Sequence, residues 1–363
     1  MRGPNAGQAL CLLSALLAGA CAAPAAPAPP AAPAAAGPAT SSTGAAAAAA
    51  PTAAAAARLK IRAAWGTDTA SELPLQVGIE AGLFAEQGLE VSAERIAGGS
   101  SKVMQVMLAG ELDVAQIGGG PVVDAHLAGA DPVYVASHIP WMVMQVHAVP
   151  GVDRLEDLRG KAVAVTRAGT ASDFAARYAL AQAGLQPEVD VGIVQSGGNT
   201  ETLAVMQSGQ AAAGLVSPPV DVAARRLGFR EIADLPSLGL QFPSDGLVVR
   251  REFLAANQEA VQRFLRAYVA AIARVKQDKP YAKQVLAKYL DTSDDEALES
   301  GYLAFGDKYL ARVPLPTASQ FEPIVEFTAE RDPRVRDLRL DTLLDDRLVR
   351  ALDAEGLIDG LYR

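Results

Sequence analysis

Thiols are nearly absent from this chain of 363 residues. Its two cysteines, Cys11 and Cys21, both stand at the N-terminus, and no cysteine follows them. This excludes a disulfide framework, a cysteine nucleophile and a cysteine-ligated zinc ion from everything after residue 21. Histidine is also scarce, and His126, His138 and His147 show no metal-site spacing such as two histidines four apart on a helix. We therefore expect neither a metal nor another cofactor.

Signatures of catalysis and of nucleic-acid binding are missing too. The chain contains no G-x-S-x-G nucleophile elbow, no G-x-G-x-x-G fingerprint and no G-x-x-x-x-G-K-[ST] phosphate loop. Its 32 basic residues are outnumbered by 41 acidic ones, which disfavours a nucleic-acid partner. We predict a protein that is not an enzyme and does not bind nucleic acid.

Charged and aromatic side chains are absent from residues 22 to 57, which consist of 22 Ala, 7 Pro, 5 Ser or Thr and 2 Gly. Such a composition cannot bury enough apolar surface to fold, so we predict a linker over residues 21 to 57. The chain before it begins with one basic residue, Arg2, and continues with an apolar stretch over residues 9 to 17. This pattern predicts a signal peptide over residues 1 to 20, whose apolar stretch is too short to span a bilayer.

The residues before the second cysteine resemble a bacterial lipobox, in the sequence Leu17-Ala18-Gly19-Ala20-Cys21. The resemblance implies that Cys21 is acylated and that the lipid holds the mature chain at a membrane, in the periplasm or at the cell surface. An uncharged linker interrupted by proline suits a receptor that stands off such a surface. The alternative is an ordinary signal peptide, cut after a small residue, that releases a free protein.

The rest of the chain contains an internal repeat. Residues 60 to 129 and 161 to 228 match in order, at an offset near 100. The clearest pairs are Thr69-Ala70-Ser71-Glu72 with Thr170-Ala171-Ser172-Asp173, Ala81-Gly82-Leu83 with Ala183-Gly184-Leu185, and Gly98-Gly99-Ser100-Ser101 with Gly197-Gly198-Asn199-Thr200. Their common order argues against chance, so we infer two similar folding units.

Each copy of the repeat alternates strand and helix. Short apolar runs predict three strands per copy, at residues 59–65, 89–96 and 114–117 and at residues 162–166, 189–194 and 213–216. This alternation predicts an α/β fold of two doubly wound lobes, each with a largely parallel sheet.

The alternation of strand and helix ends after the second copy. One more strand is predicted at residues 246–249, and a helical C-terminal tail follows, with helices at residues 252–276, 280–290, 293–310, 318–330 and 342–355. We expect residues 59–148 and 247–363 to form lobe I and residues 149–246 to form lobe II. Two chain crossings, at residues 149–151 and 244–248, then form a hinge.

Three segments resemble a known family. They are Glu80-Ala81-Gly82-Leu83-Phe84-Ala85-Glu86-Gln87-Gly88-Leu89-Glu90-Val91, Leu108-Ala109-Gly110-Glu111-Leu112-Asp113-Val114-Ala115 and Leu155-Glu156-Asp157-Leu158-Arg159-Gly160-Lys161. They look like the periplasmic solute receptors of nitrate/sulfonate/taurine-type ABC importers, and related pyrimidine-precursor receptors of thiamine synthesis share them. The resemblance covers residues 59 to 363. It implies a bilobal type II periplasmic-binding-protein fold that closes on one small solute and presents it to the transmembrane subunit of an ABC permease. We expect a monomer.

The predicted ligand-binding residues stand where strands end and helices begin. Ligands bind beyond the carboxyl ends of strands in open α/β sheets, and helix N-termini there offer unpaired N–H groups to an anion. The candidates at these starts are Thr67, Asp68, Thr69, Ser71, Ser100, Ser101, Arg167, Thr170, Ala171, Ser172 and Asn199. The alternative is that each only caps its helix.

Asp68 and Arg167 occupy nearly equivalent positions in the two copies. We hypothesise that they recognise opposite ends of a zwitterion such as an aminoalkane sulfonate. The alternative is a surface pair or an ion pair between the lobes.

Further candidates follow the third strand of each copy or precede the first crossing. Close approach of backbone to ligand would justify consecutive glycines at Gly119 and Gly120, and Ser217 and Pro218 are their counterparts. The alternative is a compositional drift towards Ala and Gly. Ser137 and His138 precede Trp141, and His138 is able to donate a hydrogen bond. Trp65 and Trp141 suit the floor of a cleft, although core packing is the alternative for both and a structural role is the alternative for His138.

Together these features favour an extracytoplasmic solute-binding component of an ABC importer that captures a small organic anion or zwitterion, such as a sulfonate, taurine or nitrate. One alternative is a receptor of the same fold for a pyrimidine or an aromatic acid. Others are an enzyme of the thiamine-pyrimidine synthesis type and a tethered solute sensor. Fold alone does not separate these classes.

Overall fold

The computed structural model describes residues 58–67 and 69–363, which belong to one compact unit. The predicted signal peptide, the predicted linker with Cys21, and Asp68 lie outside the described residues. Within the described part, no helix is both long enough and apolar enough to cross a membrane.

Ten strands and fourteen α-helices follow one another in the described residues. The strands are β1 (Leu59–Trp65), β2 (Leu89–Arg95), β3 (Val114–Ile117), β4 (Pro132–Trp141), β5 (Gln145–Ala148), β6 (Ala162–Val165), β7 (Gly192–Gln195), β8 (Ala213–Val216), β9 (Arg230–Asp234) and β10 (Gln241–Arg250). The helices are α1 (Leu73–Glu80), α2 (Leu83–Glu86), α3 (Ser100–Leu108), α4 (Gly120–Leu127), α5 (Ala171–Gln182), α6 (Asn199–Gln207), α7 (Val220–Arg226), α8 (Arg251–Ala256), α9 (Gln258–Gln277), α10 (Lys279–Tyr289), α11 (Asp295–Tyr302), α12 (Ala318–Ala329), α13 (Arg347–Ala354) and α14 (Leu357–Gly360).

The strands form two five-stranded sheets of the same design. The first has the order β2-β1-β3-β10-β4, in which β1 runs parallel to β2 and β3 while β10 is antiparallel to both of its neighbours. The second has the order β7-β6-β8-β5-β9, in which β6 runs parallel to β7 and β8 while β5 is antiparallel to both of its neighbours. The shared order confirms the internal repeat and the α/β class.

The antiparallel strand of each sheet arrives from the other sheet. β5 follows β4 of the first sheet directly but pairs in the second, and β10 follows β9 but pairs in the first. The chain therefore passes between the sheets at residues 142–144 and 235–240. These passages lie a few residues before the predicted crossings, because each crossing segment continues at once as a paired strand.

Helices cover the sheets and bury their central strands. All four residues of β3 and all four of β8 are buried, as expected for central strands with helices on both faces. Aromatic contacts also join the two halves: the ring of Phe174 on α5 lies 5.4 Å from that of Phe242 on β10 and 5.2 Å from that of Phe327 on α12.

The tail is helical as predicted, but its elements are shorter. Asn257, with φ −131°, divides the predicted helix 252–276 into α8 and α9. The predicted helix 293–310 becomes a π-helix at Leu303–Lys308, and the predicted helix 342–355 begins only at Arg347, after a 3-10 turn at Leu340–Leu343. Strand β7 starts at Gly192 rather than at Val189, because residues 186–191 form a turn that the Pro187–Val191 bridge closes.

Candidate functional site

The loop after β1 carries three of the predicted binding residues. The Thr67 hydroxyl donates to Oε1 of Glu72 at 2.7 Å, and the hydroxyls of Thr69 and Ser71 lie 2.7 Å apart. Thr67 is exposed, Thr69 is half-buried and Ser71 is buried. The Tyr289 hydroxyl donates to the Thr67 carbonyl at 2.7 Å. This loop thus presents Thr67 and Thr69 at the carboxyl end of the first sheet.

The start of α3 packs against that loop. A Cβ atom added to Gly66 would stand 2.5 Å from the carbonyl carbon of Gly99 and 2.8 Å from the Ser100 nitrogen, so the two backbones touch. Ser100 is half-buried and Ser101 is exposed. The structure therefore brings Thr67 and Ser100 to one edge of the sheet, as the sequence predicts.

Two of the three glycines after β3 pack closely against other parts of the protein. A Cβ atom on Gly119 would meet Pro243 Cγ at 2.4 Å and Phe321 Cε1 at 2.8 Å, and one on Gly118 would meet the Ser244 carbonyl oxygen at 2.9 Å. At Gly120 a Cβ atom would meet nothing within 4 Å. Packing against β10 and α12 explains the first two glycines, and only Gly120 is left open to the outside.

The loop after β6 is the second-sheet counterpart of the Thr67 loop. Ser172 is buried and its Oγ accepts from the Thr166 nitrogen at 2.9 Å and lies 2.7 Å from the Thr166 hydroxyl. The Thr170 hydroxyl donates to the Arg167 carbonyl at 2.7 Å, and Ala171 is exposed at the start of α5. Thr170 occupies the N-cap position, yet no side-chain capping bond forms there. Simple helix capping therefore does not account for this threonine.

The remaining second-sheet candidates adjoin that loop or lead into α7. The Ala168 nitrogen donates to Oε1 of Gln195 at 3.1 Å and the Gly197 nitrogen to the Thr166 carbonyl at 2.9 Å, which joins the loops after β6 and β7. Asn199, at the start of α6, is half-buried. Ser217 and Pro218 are buried between β8 and α7.

The guanidinium of Arg167 carries a positive charge in the loop after β6. Its side chain is exposed, and no hydrogen bond or ion pair joins its guanidinium to another residue in the described part of the chain. Its predicted counterpart Asp68 lies outside the described residues. Arg167 therefore offers five N–H donors to an anionic group.

Ser137 and His138 lie deeper than the loops. Neither has exposed surface. His138 Nε2 lies 3.0 Å from the Ser71 carbonyl oxygen, 3.7 Å from Oδ2 of Asp245 and 3.4 Å from Nε2 of Gln116. Burial lowers the pKa of His138 and raises the pKa of Asp245. His138 therefore belongs to a buried network behind the loop.

Sequence reasoning did not identify the partners of His138 in this network. Gln116 interrupts an apolar strand, and Asp245 interrupts the strand that returns from the second sheet. A polar residue inside a fully buried strand is the signal that marks such a position, because it must find partners there. Trp65 is also buried, and its ring packs edge-on against Tyr289 at 5.8 Å. Trp141 is half-buried.

α7 and α11 connect the two sets of loops. Arg226 of α7 pairs with Asp294 at 2.5 Å and with Glu296 at 2.7 Å, and the Ser300 hydroxyl of α11 donates to Asp221 of α7 at 2.8 Å. α11 also reaches the first loop: a Cβ atom added to Gly301 would stand 3.1 Å from Cβ of Ala70. Because α7 follows the Ser217–Pro219 segment directly, this contact places the ends of β8 and β1 on the same side of the molecule.

The arrangement is suited to binding a polar solute. Hydroxyls, backbone N–H groups and the guanidinium of Arg167 lie at the strand ends of the two sheets, which is a set that holds oxyanions and polar solutes. Among residues 58–67 and 69–363, no group of three or more His, Cys, Asp or Glu side chains is placed to hold a metal ion.

Comparison with known proteins adds a family and a fold. The model of the NMT1-like family matches residues 63–291, well over half of the chain. No curated protein matches the sequence.

Three solved structures illustrate the fold. The chain is similar to the periplasmic aliphatic sulphonate-binding protein SsuA of Escherichia coli, with 19% identity, 78% of this chain and 98% of that chain covered, and a TM-score of 0.65. It is similar to the alkanesulfonate-binding protein SsuA of Xanthomonas axonopodis pv. citri bound to MOPS, with 18% identity, coverage of 80% and 99%, and a TM-score of 0.63. It is also similar to the periplasmic nitrate-binding protein NrtA of Synechocystis PCC 6803, with 14% identity, coverage of 84% and 91%, and a TM-score of 0.66. These likenesses confirm the expected bilobal α/β fold.

Proposed function

Because the chain belongs to the NMT1-like family and shares the fold of sulfonate- and nitrate-binding proteins, we propose that it is the solute-binding component of an ABC importer. It captures a small organic anion or zwitterion between its two lobes and delivers it unchanged to the transmembrane subunit of a permease. The observation that carries the proposal is the pairing of hydroxyl-bearing loops at the strand ends of two duplicated sheets.

The predicted binding residues divide between the two lobes. Thr67, Thr69 and Ser100 act from the first sheet, and Thr170, Asn199 and Arg167 from the second. Arg167 supports an anionic solute group, because a guanidinium binds sulfonate and carboxylate oxygens through two parallel N–H bonds. We further propose that Asp68 recognises the positive end of a zwitterionic solute.

Closure of the lobes traps the solute. The hinge consists of the two passages between the sheets, at residues 142–144 and 235–240, with lobe I and lobe II on either side. Only two chain segments connect the sheets, which is the arrangement in which hinge closure around a ligand occurs. We place the protein at the outer face of a membrane as a monomer, attached through lipid on Cys21.

The test of the site is a calorimetric titration of the protein with methanesulfonate, taurine and nitrate. Arg167→Ala should weaken binding of the solute that the wild type accepts by about tenfold or more, the effect of a charge-assisted hydrogen bond. Arg336→Ala is the matched control, since Arg336 is also exposed and no described hydrogen bond or ion pair involves its guanidinium. Equal affinities of the two variants would remove Arg167 from the site.

A further inference from the structure

The Ser71 carbonyl oxygen is held by two buried side chains. Nε2 of His138 lies 3.0 Å from it and Nε2 of Gln116 lies 3.2 Å from it. The exposed fraction is 0% for His138 and 1% for Gln116, so neither side chain reaches the solvent side of the loop. Both act on the loop from behind, through its backbone.

The Tyr268 hydroxyl supports both side chains that hold Ser71. A carbonyl oxygen only accepts, so Nε2 of His138, which faces the Ser71 oxygen, carries a proton. The Tyr268 hydroxyl lies 3.2 Å from Nδ1 of His138 and donates to Oε1 of Gln116 at 3.2 Å, and Tyr268 is itself fully buried. Loss of this hydroxyl would therefore leave His138 and Gln116 each without one buried partner.

Asp245 connects this arrangement to the strand that returns from the second sheet. Its Oδ2 accepts from Nε2 of Gln116 at 3.3 Å and lies 3.7 Å from Nε2 of His138, and its Oδ1 accepts from the Gly246 nitrogen at 2.9 Å. Asp245 stands four residues after the start of β10, and β10 begins where the passage over residues 235–240 ends. A displacement of β10 therefore acts on the two side chains that hold Ser71.

We propose that Gln116, His138 and Asp245 are positioning residues that fix the backbone of the Thr69–Glu72 turn and couple the turn to the returning strand. Their role in solute binding rests on the proposed function, whereas their effect on the turn does not. The turn carries Thr69 and Ser71 and ends in Glu72, whose buried carboxylate accepts from Thr67. Loss of the two bonds to Ser71 would release this whole segment.

Hydrogen exchange of the turn amides in the full-length protein tests the proposal without any ligand. His138→Leu removes the donor, and we expect exchange over residues 69–73 to rise about tenfold, the effect of one lost buried hydrogen bond. His138→Gln restores a donor near the Nε2 position and should return exchange towards the wild-type rate. His126→Leu is the matched control, because His126 Nε2 lies 2.8 Å from the Pro132 carbonyl in the same half but away from the turn.

Tyr268→Phe provides a second variant in case His138→Leu does not fold. It removes only the hydroxyl that contacts His138 and Gln116, and exchange over residues 69–73 should again rise while exchange in β6 and β8 stays at the wild-type rate. Asp245→Asn tests the coupling and should also raise exchange at the turn. If the turn amides exchange no faster in His138→Leu than in His126→Leu, the positioning role is overturned. It is also overturned if exchange rises equally in both sheets. An unchanged turn in Asp245→Asn alone would overturn the coupling.

Solute affinity provides the second readout. For the solute among methanesulfonate, taurine and nitrate that binds the wild type, His138→Leu should weaken binding about tenfold and His138→Gln should recover most of it. If neither these three nor any longer alkanesulfonate binds the wild type, the proposed function fails, whereas the exchange result still decides the positioning role.

Discussion

Arg226 places both of its terminal nitrogens on the carboxylate of Asp294, with Nη1 at 2.5 Å from Oδ2 and Nη2 at 3.0 Å from Oδ1. The two residues belong to opposite halves of the molecule, since α7 covers the second sheet and the segment before α11 covers the first. This bidentate hydrogen bonding lowers the pKa of Asp294 to about 2. The pair is one contact that must break before the two halves separate.

Removal of this pair should let the lobes separate more often. The chain after Cys21 has no cysteine, so spin labels attach only where cysteines are introduced, here in place of Leu108 and Val189 with Cys11 and Cys21 changed to serine. We expect Arg226→Ala to lengthen the distances between the labels. High salt should have the same effect in the wild type, because it screens the exposed pair. Double electron–electron resonance measures the distances between the two spin labels.

The matched control for this prediction is Arg62→Ala. Arg62 pairs with Asp113 at 2.6 Å, but both residues belong to the first sheet and its edge. If Arg226→Ala and Arg62→Ala give the same distance distribution as the wild type, the contact between α7 and α11 does not restrain the lobes.

His147 should make the protein less stable in acid. Its side chain has no exposed surface, and burial lowers its pKa to about 4 from the ordinary 6.5. As the pH falls from 6.5 to 4, the unfolded chain binds a proton that the folded chain does not, so stability present above pH 6.5 is lost. The loss from this group amounts to about 3 kcal/mol by pH 4.

Urea unfolding at pH 7, 5.5 and 4.5 measures this loss in the wild type and in His147→Gln. The variant cannot take up the proton, so its free energy of unfolding should fall less over this range, while all other titrating groups contribute alike to both proteins. Parallel curves for the two proteins would show that His147 titrates normally in the folded state.

Gly119 and Gly120 should respond in opposite ways to alanine. Gly119→Ala forces a Cβ atom against Pro243 and Phe321, and we expect a loss of about 1–3 kcal/mol of stability. Gly120→Ala meets no atom within 4 Å and lies in the first turn of α4, so stability should hold or rise slightly. Thermal unfolding compares the two. A comparable destabilisation by both would contradict the packing explanation.

The same pair of variants separates packing from ligand approach. If Gly120 lacks a side chain so that solute comes close to the backbone, Gly120→Ala weakens solute binding without a loss of stability. Unchanged affinity in this variant would remove Gly120 from the site.

Much of the fold is readable from local sequence patterns. The runs Leu59 to Trp65 and Ala213 to Val216 are apolar, short and bounded by turn residues, and the structure has strands with those bounds. The repeat predicted two similar α/β lobes, and the structure has two sheets of the same strand order. Strands β4, β5 and β9 were not predicted, although β4 contains β-branched and aromatic residues that favour strands.

The site was less predictable, because its supports come from distant parts of the sequence. Asp245 and Gln116 lie 129 residues apart, and Tyr268 and His138 lie 130 apart. A polar residue in an apolar strand marks Gln116 and Asp245, but nothing local shows which of these residues pair, because the pairs form only when β3, β4, β10 and α9 pack together. By contrast, the loop hydroxyls follow their strands directly, and Gly66, the neighbour of Thr67, packs against the start of α3.

The most direct test of the proposed function is a thermal-shift assay with methanesulfonate, taurine, longer alkanesulfonates, nitrate, aromatic acids and aminopyrimidines, followed by native mass spectrometry of the complex. We predict that one sulfonate, zwitterion or nitrate stabilises the protein by about 2.7 kcal/mol at 100 times its Kd and is recovered unchanged. Stabilisation by an aminopyrimidine or aromatic acid alone would replace the anion with the alternative ligand class. A solute returned chemically altered, or no stabilisation by any of them, would contradict the account.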